Sequence, residues 1–136
     1  MNTNMNNIKS ELEQHNIKPT FQRLCVLEYL EQNPIHPTVD MIYADLVKKM
    51  PTMSRTTVYN TLNLLLESGL ASPITITGTE VRYEITTPQH HHFLCRKCNR
   101  IYDLDVQCPL CSNNEIEGHQ IQEIHGYFKG ICKNCR

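Results

Sequence analysis

The stretch Ser54-Arg55-Thr56-Thr57-Val58-Tyr59-Asn60-Thr61-Leu62 decides the fold of this chain, because it predicts a helix with one apolar and one polar face. Ser54 is a good N-cap, and Gly69 stands where a helix running to about Ser68 would end. Helical spacing groups four apolar residues on one face: Val58, Leu62, Leu65 and Leu66. The other face carries Arg55, Thr56, Tyr59, Asn60 and Asn63. These polar groups suit base edges and phosphates, although an ordinary solvated face has a similar composition.

Further helices are predicted before this one. Thr20 precedes apolar residues at helical spacing, and Pro34 ends that run. Thr38 precedes a second run, which Pro51 closes. A shorter helix is indicated upstream by Ile8 and Leu12.

A β-hairpin is predicted after the polar-faced helix. Apolar residues alternate with others on both sides of a turn at residues 77–79, namely Ile74, Ile76, Val81, Tyr83 and Ile85. Helices followed by a hairpin in this order are typical of a winged helix-turn-helix, in which the last helix enters the major groove and the hairpin touches the DNA backbone.

Composition limits the classes of protein to consider. The chain has 136 residues, of which 40% are hydrophobic, and a net charge of −1, so any polyanion must be bound by local charge or by a dimer. No apolar run reaches the ~18 residues of a membrane span, and the polar N-terminus lacks the features of a secretory signal. We therefore expect a cytoplasmic protein without a membrane partner, in which paired cysteines are ligands or redox groups.

Three Cys-x-x-Cys pairs indicate metal binding in the last third of the chain. They are Cys95/Cys98, Cys108/Cys111 and Cys132/Cys135. A two-residue gap lets both thiolates of one turn reach the same Zn²⁺. Spacing alone favours the quartet formed by the second and third pairs, which is close to a zinc-ribbon pattern, but leaves a second quartet possible.

The cysteine and histidine clusters begin at about residue 90, whereas the preceding stretch has the helix and hairpin patterns described above. This change predicts two domains, residues 1–86 and residues 87–136. The predicted fold class is α+β, with a winged helix-turn-helix followed by a small α/β domain.

Several motifs together resemble the ferric uptake regulator family, and within it most closely the peroxide-sensing regulators. They cover the chain from about residue 5 and occur in the family's order: Lys18-Pro19-Thr20-Phe21-Gln22-Arg23, His36-Pro37-Thr38, Ser54 to Leu62, Glu67-Ser68-Gly69-Leu70, His90-x-His92-x-x-Cys95-x-x-Cys98 and Cys132-x-x-Cys135. The resemblance implies a homodimeric, metal-dependent transcriptional repressor that binds double-stranded operator DNA and has no small-molecule substrate. It also implies the residues that contact DNA: Lys18, Arg23, Ser54, Arg55, Thr57, Tyr59 and Asn60.

The resemblance implies two metal sites. The structural zinc site would comprise Cys95, Cys98, Cys132 and Cys135, which leaves Cys108 and Cys111 as a redox dithiol, a further metal half-site or ordinary thiols. The regulatory site would comprise His36, Glu84, His90, His92 and Asp103. Imidazoles and carboxylates without a thiolate suit Fe²⁺ or Mn²⁺, and also adventitious Zn²⁺. On a strand, His91 would face away from His90 and His92, so it is a candidate for a second site with His119 or His125.

The resemblance leaves the signal open between peroxide and metal supply. Glu84 replaces the aspartate expected in a peroxide sensor, whereas Asp103 is the carboxylate that those sensors favour. In peroxide sensors, bound Fe²⁺ reacts with peroxide and a ligating histidine is oxidised, here His36 or His90. The alternative is an iron- or zinc-uptake regulator. Residues 106–118, where the family usually has a helix, are expected to form a loop because of Pro109 and two asparagines.

Proteins of another class fit less of the chain. A zinc-dependent hydrolase or deaminase needs an open coordination position and a positioned base, and neither His-x-Glu nor His-Glu-x-x-His is present. A thiol-redox or metal-buffer protein accounts for the cysteines but leaves the winged helix unexplained. The sequence therefore predicts a regulator that is not an enzyme.

Overall fold

A computed structural model describes residues 2–86, 91–105, 114–122 and 127–136. The chain divides into two compact units between Thr86 and Thr87. Each unit is described below by itself.

Unit 1 contains four helices: α1 (Asn2–Gln14), α2 (Phe21–Gln32), α3 (Val39–Lys49) and α4 (Arg55–Ser68). Each of the last three begins after a hydroxyl side chain that accepts a hydrogen bond from a backbone N–H in the first turn. The acceptors are Thr20, Thr38 and Ser54, the residues that precede the three predicted helices. Helix α4 ends at Gly69, whose φ of 83° is the left-handed conformation that glycine adopts without strain.

One apolar core holds unit 1 together. Helices α2 and α3 both pack on α4, and α1 packs on α2. The side chains of Val58, Leu62 and Leu65 are fully buried on α4, together with Thr61. Leu66 is only half-buried and packs against the edge of this core. The predicted apolar stripe of α4 is therefore confirmed, and its polar face is left for solvent or a partner.

The predicted hairpin follows α4. Strands β1 (Ala71–Ile74) and β2 (Arg82–Ile85) pair antiparallel, with Ala71 opposite Ile85. The strands are shorter than the alternation predicted, because a turn already begins at Thr75, whose carbonyl accepts a hydrogen bond from the Gly78 N–H. Ile76 and Val81 therefore lie outside the strands, although Ile76 is still buried. We name this hairpin the wing, residues 71–85.

Unit 2 is built on a three-stranded sheet. Its strands are β3 (His91–Cys95), β4 (Ile101–Leu104) and β7 (Tyr127–Gly130), in the order β4-β3-β7. Strand β3 runs antiparallel to β4 and parallel to β7, with Cys95 opposite Gly130. A separate small hairpin pairs β5 (Glu115–Ile116) with β6 (His119–Gln120). The described part of the expected loop at residues 106–118 thus contains a strand of this hairpin, and residues 106–113 lie outside the described residues.

Among the described residues, no helix is long and apolar enough to cross a membrane.

Candidate metal centres and nucleic-acid interface

Four cysteines of unit 2 form a compact cluster. Cys95 is the last residue of β3 and Cys98 lies in the turn that follows, whereas Cys132 and Cys135 lie in the segment after β7. Their sulfur atoms all lie within 4.8 Å of one another. The β3–β7 pairing brings the two turns together, because Cys95 lies opposite Gly130 and the Arg96 N–H donates to the Gly130 carbonyl at 2.7 Å.

The spacing of these sulfurs fits zinc. Four thiolates at about 2.3 Å from a tetrahedral Zn²⁺ lie about 3.8 Å from each other. The Sγ atoms of Cys98 and Cys132 are 3.9 Å apart. Cys95 and Cys132 are buried, whereas Cys98 is exposed, so the cluster lies at the surface of the unit.

Hydrogen bonds from the backbone favour the thiolate form at Cys95. The N–H groups of Cys98 and Cys132 each donate to Cys95 Sγ at 3.4 Å. With the Cys98 N–H as the largest cause, the pKa of Cys95 is lowered to about 6. The pKa of Cys132 is also lowered, chiefly by a hydrogen bond from the Tyr102 hydroxyl, whereas the pKa of Cys135 is raised to about 12 chiefly by its hydrogen bond with Cys132. A bound cation would favour deprotonation of all four.

Unit 1 contains a histidine–carboxylate pair. His36 precedes α3 and is buried, with 4% of its surface exposed. Its Nε2 lies 3.4 Å from a carboxylate oxygen of Glu84, on β2 of the wing. Its backbone φ of 58° is left-handed, which is uncommon for any residue except glycine. An imidazole and a carboxylate at this distance are suitable ligands for one divalent cation.

Unit 2 contains a second pair of the same chemistry. His92 on β3 and Asp103 on β4 are directly opposite in the antiparallel register, and Nε2 of His92 lies 3.6 Å from a carboxylate oxygen of Asp103. His91 is buried on the other face of β3, where its ring meets the edge of Phe128 at a centroid distance of 5.7 Å. This alternation separates His91 from His92, as the sequence predicts.

Some predicted site residues lie outside the described residues. These are His90, Cys108, Cys111 and His125. His119 is described, on the exposed strand β6. Its assignment with His91 to a second site stays a prediction.

The polar face of α4 forms the candidate nucleic-acid interface. Arg55, Tyr59 and Asn60 are exposed, and Thr57 lies at the rim of a cleft of about 210 Å³ between α2 and α4. Arg23 lines the same cleft and donates from Nη1 to the Lys18 carbonyl at 3.0 Å. Three of the predicted contact residues, Arg23, Thr57 and Asn60, therefore line one cleft, which combines a cation, a hydroxyl and an amide suited to phosphates and base edges.

Sequence reasoning missed two neighbours of Arg55. Its Nε lies 3.3 Å from a carboxylate oxygen of Asp40, and its guanidinium carbon lies 5.7 Å from the centre of the Tyr43 ring. Asp40 and Tyr43 share one face of α3 because they are three residues apart. The periodicity of α3 was a usable signal for that shared face, but only the packing of α3 on α4 shows that Arg55 meets it.

Comparisons with known proteins agree with this arrangement. Residues 14–128 match the model of the ferric uptake regulator family. The "Peroxide operon regulator" of Bacillus subtilis is 34% identical over 129 residues, which cover 91% of this chain and 88% of that protein.

Two solved structures are similar across nearly the whole chain. The ferric uptake regulator of Francisella tularensis, solved with iron, has a TM-score of 0.73 at 25% identity and covers 88% of this chain and 94% of its own. A PerR structure from Streptococcus pyogenes, described as the basis for peroxide sensing and gene regulation, has a TM-score of 0.55 at 31% identity, covering 97% and 92% respectively. The α+β class predicted from the sequence is confirmed, and the chain belongs to the ferric uptake regulator family.

Proposed function

We propose that this protein is a metal-dependent, DNA-binding transcriptional repressor that senses peroxide through bound iron. Members of the family are regulators and not enzymes. One observation carries the proposal: the pair of His36 and Glu84 lies in the same compact unit as the polar face of α4. Binding of a cation by this pair can therefore alter the conformation of the unit that carries the DNA-binding face.

The regulatory ion in this proposal takes its ligands from His36, Glu84, His90, His92 and Asp103. The short distances within each pair, 3.4 Å for His36 and Glu84 and 3.6 Å for His92 and Asp103, support this assignment. The donor set is nitrogen and oxygen only, which suits Fe²⁺ or Mn²⁺. The binding free energy of the ion would then be linked to DNA affinity. If the ion and the DNA both bind more tightly to the same state of the protein, binding of one raises the affinity for the other.

Zinc is assigned to the cluster of Cys95, Cys98, Cys132 and Cys135. Four thiolates leave no open coordination position, so the ion is structural and holds the turns after β3 and β7 together. The donor sets differ in softness, which directs Zn²⁺ to the thiolates and a harder ion to the regulatory residues.

The DNA-binding role is assigned to residues 1–86, and dimerisation to residues 87–136. Among the described strands, β7 lies at an edge of the sheet in unit 2 and exposes Tyr127 and Phe128, with Ile131 just beyond. An apolar sheet edge of this kind favours a second copy of the chain as its partner. A dimer would present two α4 helices to double-stranded operator DNA, in the cytoplasm.

Peroxide sensing depends on the ligating imidazoles. When bound, ferrous iron would supply the one-electron chemistry that cleaves the O–O bond of peroxide, and manganese at the same ligands is far less reactive. Peroxide itself is the two-electron oxidant: one of its oxygen atoms replaces a carbon-bound hydrogen of an imidazole, and the other leaves as water. The imidazoles of His36 and His90 are the groups expected to gain an oxygen atom. An oxidised imidazole is a poorer ligand, so the ion and the DNA affinity linked to it would be lost together.

The test is DNA binding by the zinc-containing protein under anaerobic conditions. Duplexes are first selected from a random-sequence library with the Mn²⁺-loaded protein, and then titrated with the Fe²⁺ and Mn²⁺ forms before and after a low dose of peroxide. We expect peroxide to abolish binding of the iron form only, and to add 16 Da to a peptide that contains His36 or His90. Iron-form binding that survives peroxide, with unmodified peptides, would instead support an uptake regulator, the function that Glu84 favours.

A further inference from the structure

The backbone of His36 is held in an unfavourable conformation by its neighbours. A left-handed φ of 58° costs free energy for a residue with a β-carbon, so a loop left to itself would depart from it. The side chain is also buried. Contacts from elsewhere in unit 1 must therefore keep this residue in place.

The wing provides those contacts. Arg82 on β2 donates from Nη1 to the His36 carbonyl at 3.2 Å, and its Nη2 lies 3.0 Å from a carboxylate oxygen of Glu80. The next residue, Tyr83, donates its backbone N–H to the Pro37 carbonyl at 2.9 Å. Two consecutive residues of β2 therefore bind two consecutive carbonyls of the loop that carries His36.

We propose that Arg82 is a positioning residue for the regulatory metal, acting through the His36 carbonyl. Because Arg82 and Glu84 are two residues apart on β2, one face of that strand supplies both a metal ligand and the donor that fixes the other ligand. The imidazole of His36 is thereby directed at Glu84 before any ion binds. The inference rests on the proposed function, since that proposal makes both residues ligands.

This arrangement links the metal to the wing. A change at β2 alters the donor on the His36 carbonyl, and a bound ion restrains the wing through Glu84. Removal of the Arg82 donor leaves His36 free to leave its left-handed conformation, so the ion must order the ligand on binding. Loss of an outer-shell hydrogen bond to a ligating side chain typically weakens metal affinity by about 10- to 100-fold, and we expect a loss of this order for a bond that holds the backbone of the ligand.

Three variants of the full-length, zinc-containing protein test the role of Arg82. Arg82→Gln lacks the reach of the guanidinium, Arg82→Lys keeps a cation that reaches the carbonyl, and Glu80→Gln is the matched control that removes the charge of the other partner only. Mn²⁺ affinity is measured by competition with a metal-binding dye. Zinc content and the thermal unfolding of the Mn²⁺-free protein are measured on the same samples.

We expect Arg82→Gln to weaken Mn²⁺ binding by about 10- to 100-fold, with a smaller loss in Arg82→Lys and none in Glu80→Gln. Unfolding of the Mn²⁺-free protein should change little, because the buried Nε of Arg82 has no hydrogen-bond partner among the described residues and its removal relieves that deficit. A purely structural role predicts the opposite: a lower unfolding temperature with unchanged Mn²⁺ affinity in the folded protein. If Arg82→Gln does not fold, Arg82→Lys must show weakened Mn²⁺ binding at an unchanged unfolding temperature.

His36→Ala separates failure of the inference from failure of the proposed function. If His36→Ala binds Mn²⁺ with the affinity of the parent protein, the assignment of His36 as a ligand is wrong. The role proposed for Arg82 is then wrong as well. If His36→Ala loses Mn²⁺ binding while Arg82→Gln keeps the parent affinity, the regulatory site stands and only the role of Arg82 is overturned. Equal weakening in Arg82→Gln and Glu80→Gln would likewise overturn it, because the two changes alter the net charge in opposite directions and the effect would then trace to their shared ion pair, not to the bond with the His36 carbonyl.

Discussion

Replacement of Cys98 by serine is expected to unfold unit 2 and leave unit 1 folded. Cys98 is exposed, and serine is nearly its size, so the substitution creates no cavity in an apolar core. The loss of one thiolate therefore acts through the metal alone.

The size of the effect follows from how little else holds unit 2 together. Among its described residues, the buried apolar side chains are Leu94, Cys95, Ile101 and Cys132, and two of these are proposed zinc ligands. Structural zinc contributes about 10–16 kcal/mol of apparent binding free energy in small metal-dependent domains. A whole domain is commonly stable by only about 5–15 kcal/mol. A unit with this core cannot compensate for loss of the ion.

Unit 1 does not share this dependence. The core cluster of buried residues that includes Leu12, Leu27, Ile42 and Leu62 lies wholly within it. We therefore expect its helices to persist when zinc is lost, and unfolding to be confined to the sheet of unit 2.

Zinc stoichiometry and amide hydrogen exchange measure the two parts of this prediction. Cys98→Ser should lose its zinc, and the amides of β3, β4 and β7 should lose protection while those of α4 keep it. Cys25→Ser is the matched control, because Cys25 lies on α2 and outside the cluster; this variant should keep one zinc per chain and a protected sheet. Full zinc and full protection in Cys98→Ser would refute the reasoning and would favour the quartet that includes Cys108 and Cys111.

Three further predictions concern unit 1. Leu62→Ala should lower the free energy of unfolding by about 3 kcal/mol, measured in urea, because Leu62 is fully buried and the cavity cannot close; a loss under about 1 kcal/mol would contradict the described core. Gly69→Ala should cost about 1 kcal/mol through backbone strain alone, since φ is 83° and an added β-carbon would meet nothing within 4 Å; an unchanged unfolding temperature would contradict the left-handed cap. Burial, and then the charge of Glu11, raises the pKa of Glu31 to about 7 from its ordinary 4.5. The folded state therefore holds a proton that the unfolded chain releases, so this contribution to stability is full below about pH 4.5 and is lost as the pH rises through 7. Glu31→Gln should remove that decline and be more stable at pH 8 by about 1 kcal/mol, a value reduced for solvent screening; parallel stability curves for the two proteins would contradict it.

Local signals were sufficient to predict the helices of unit 1. Ser54 and Gly69 mark the two ends of α4 because a hydroxyl cap and a left-handed glycine act within one turn of the helix. The wing was predicted less well, since alternation continued through Ile76 whereas the turn begins at Thr75. Ile76 is apolar because it is buried in the connection, and periodicity alone does not distinguish that from a strand position.

The candidate sites depended on contacts that are distant in sequence. The choice between two cysteine quartets could not follow from spacing, because it depends on which segments the sheet brings together; the parallel pairing of β3 with β7 brings Cys95 and Cys98 to Cys132 and Cys135. The register that places His92 opposite Asp103 is likewise a property of the sheet. Arg82 was missed because its partner is a backbone carbonyl, which has no sequence pattern at all.

The division of labour between the two ligand sets follows from what a sensor requires. A signal ion must leave without unfolding the protein, so its free energy of binding cannot be the one that holds a domain together. Unit 1 satisfies this condition on the proposed function, since His36 and Glu84 lie beside an apolar core that is complete without them. In unit 2 the condition is met in another way. The four thiolates are soft ligands that leave no open coordination position, so they retain Zn²⁺ while the harder regulatory ion exchanges. The responsive site therefore includes an unfavourable conformation, the left-handed backbone of His36, which the wing stabilises through Arg82.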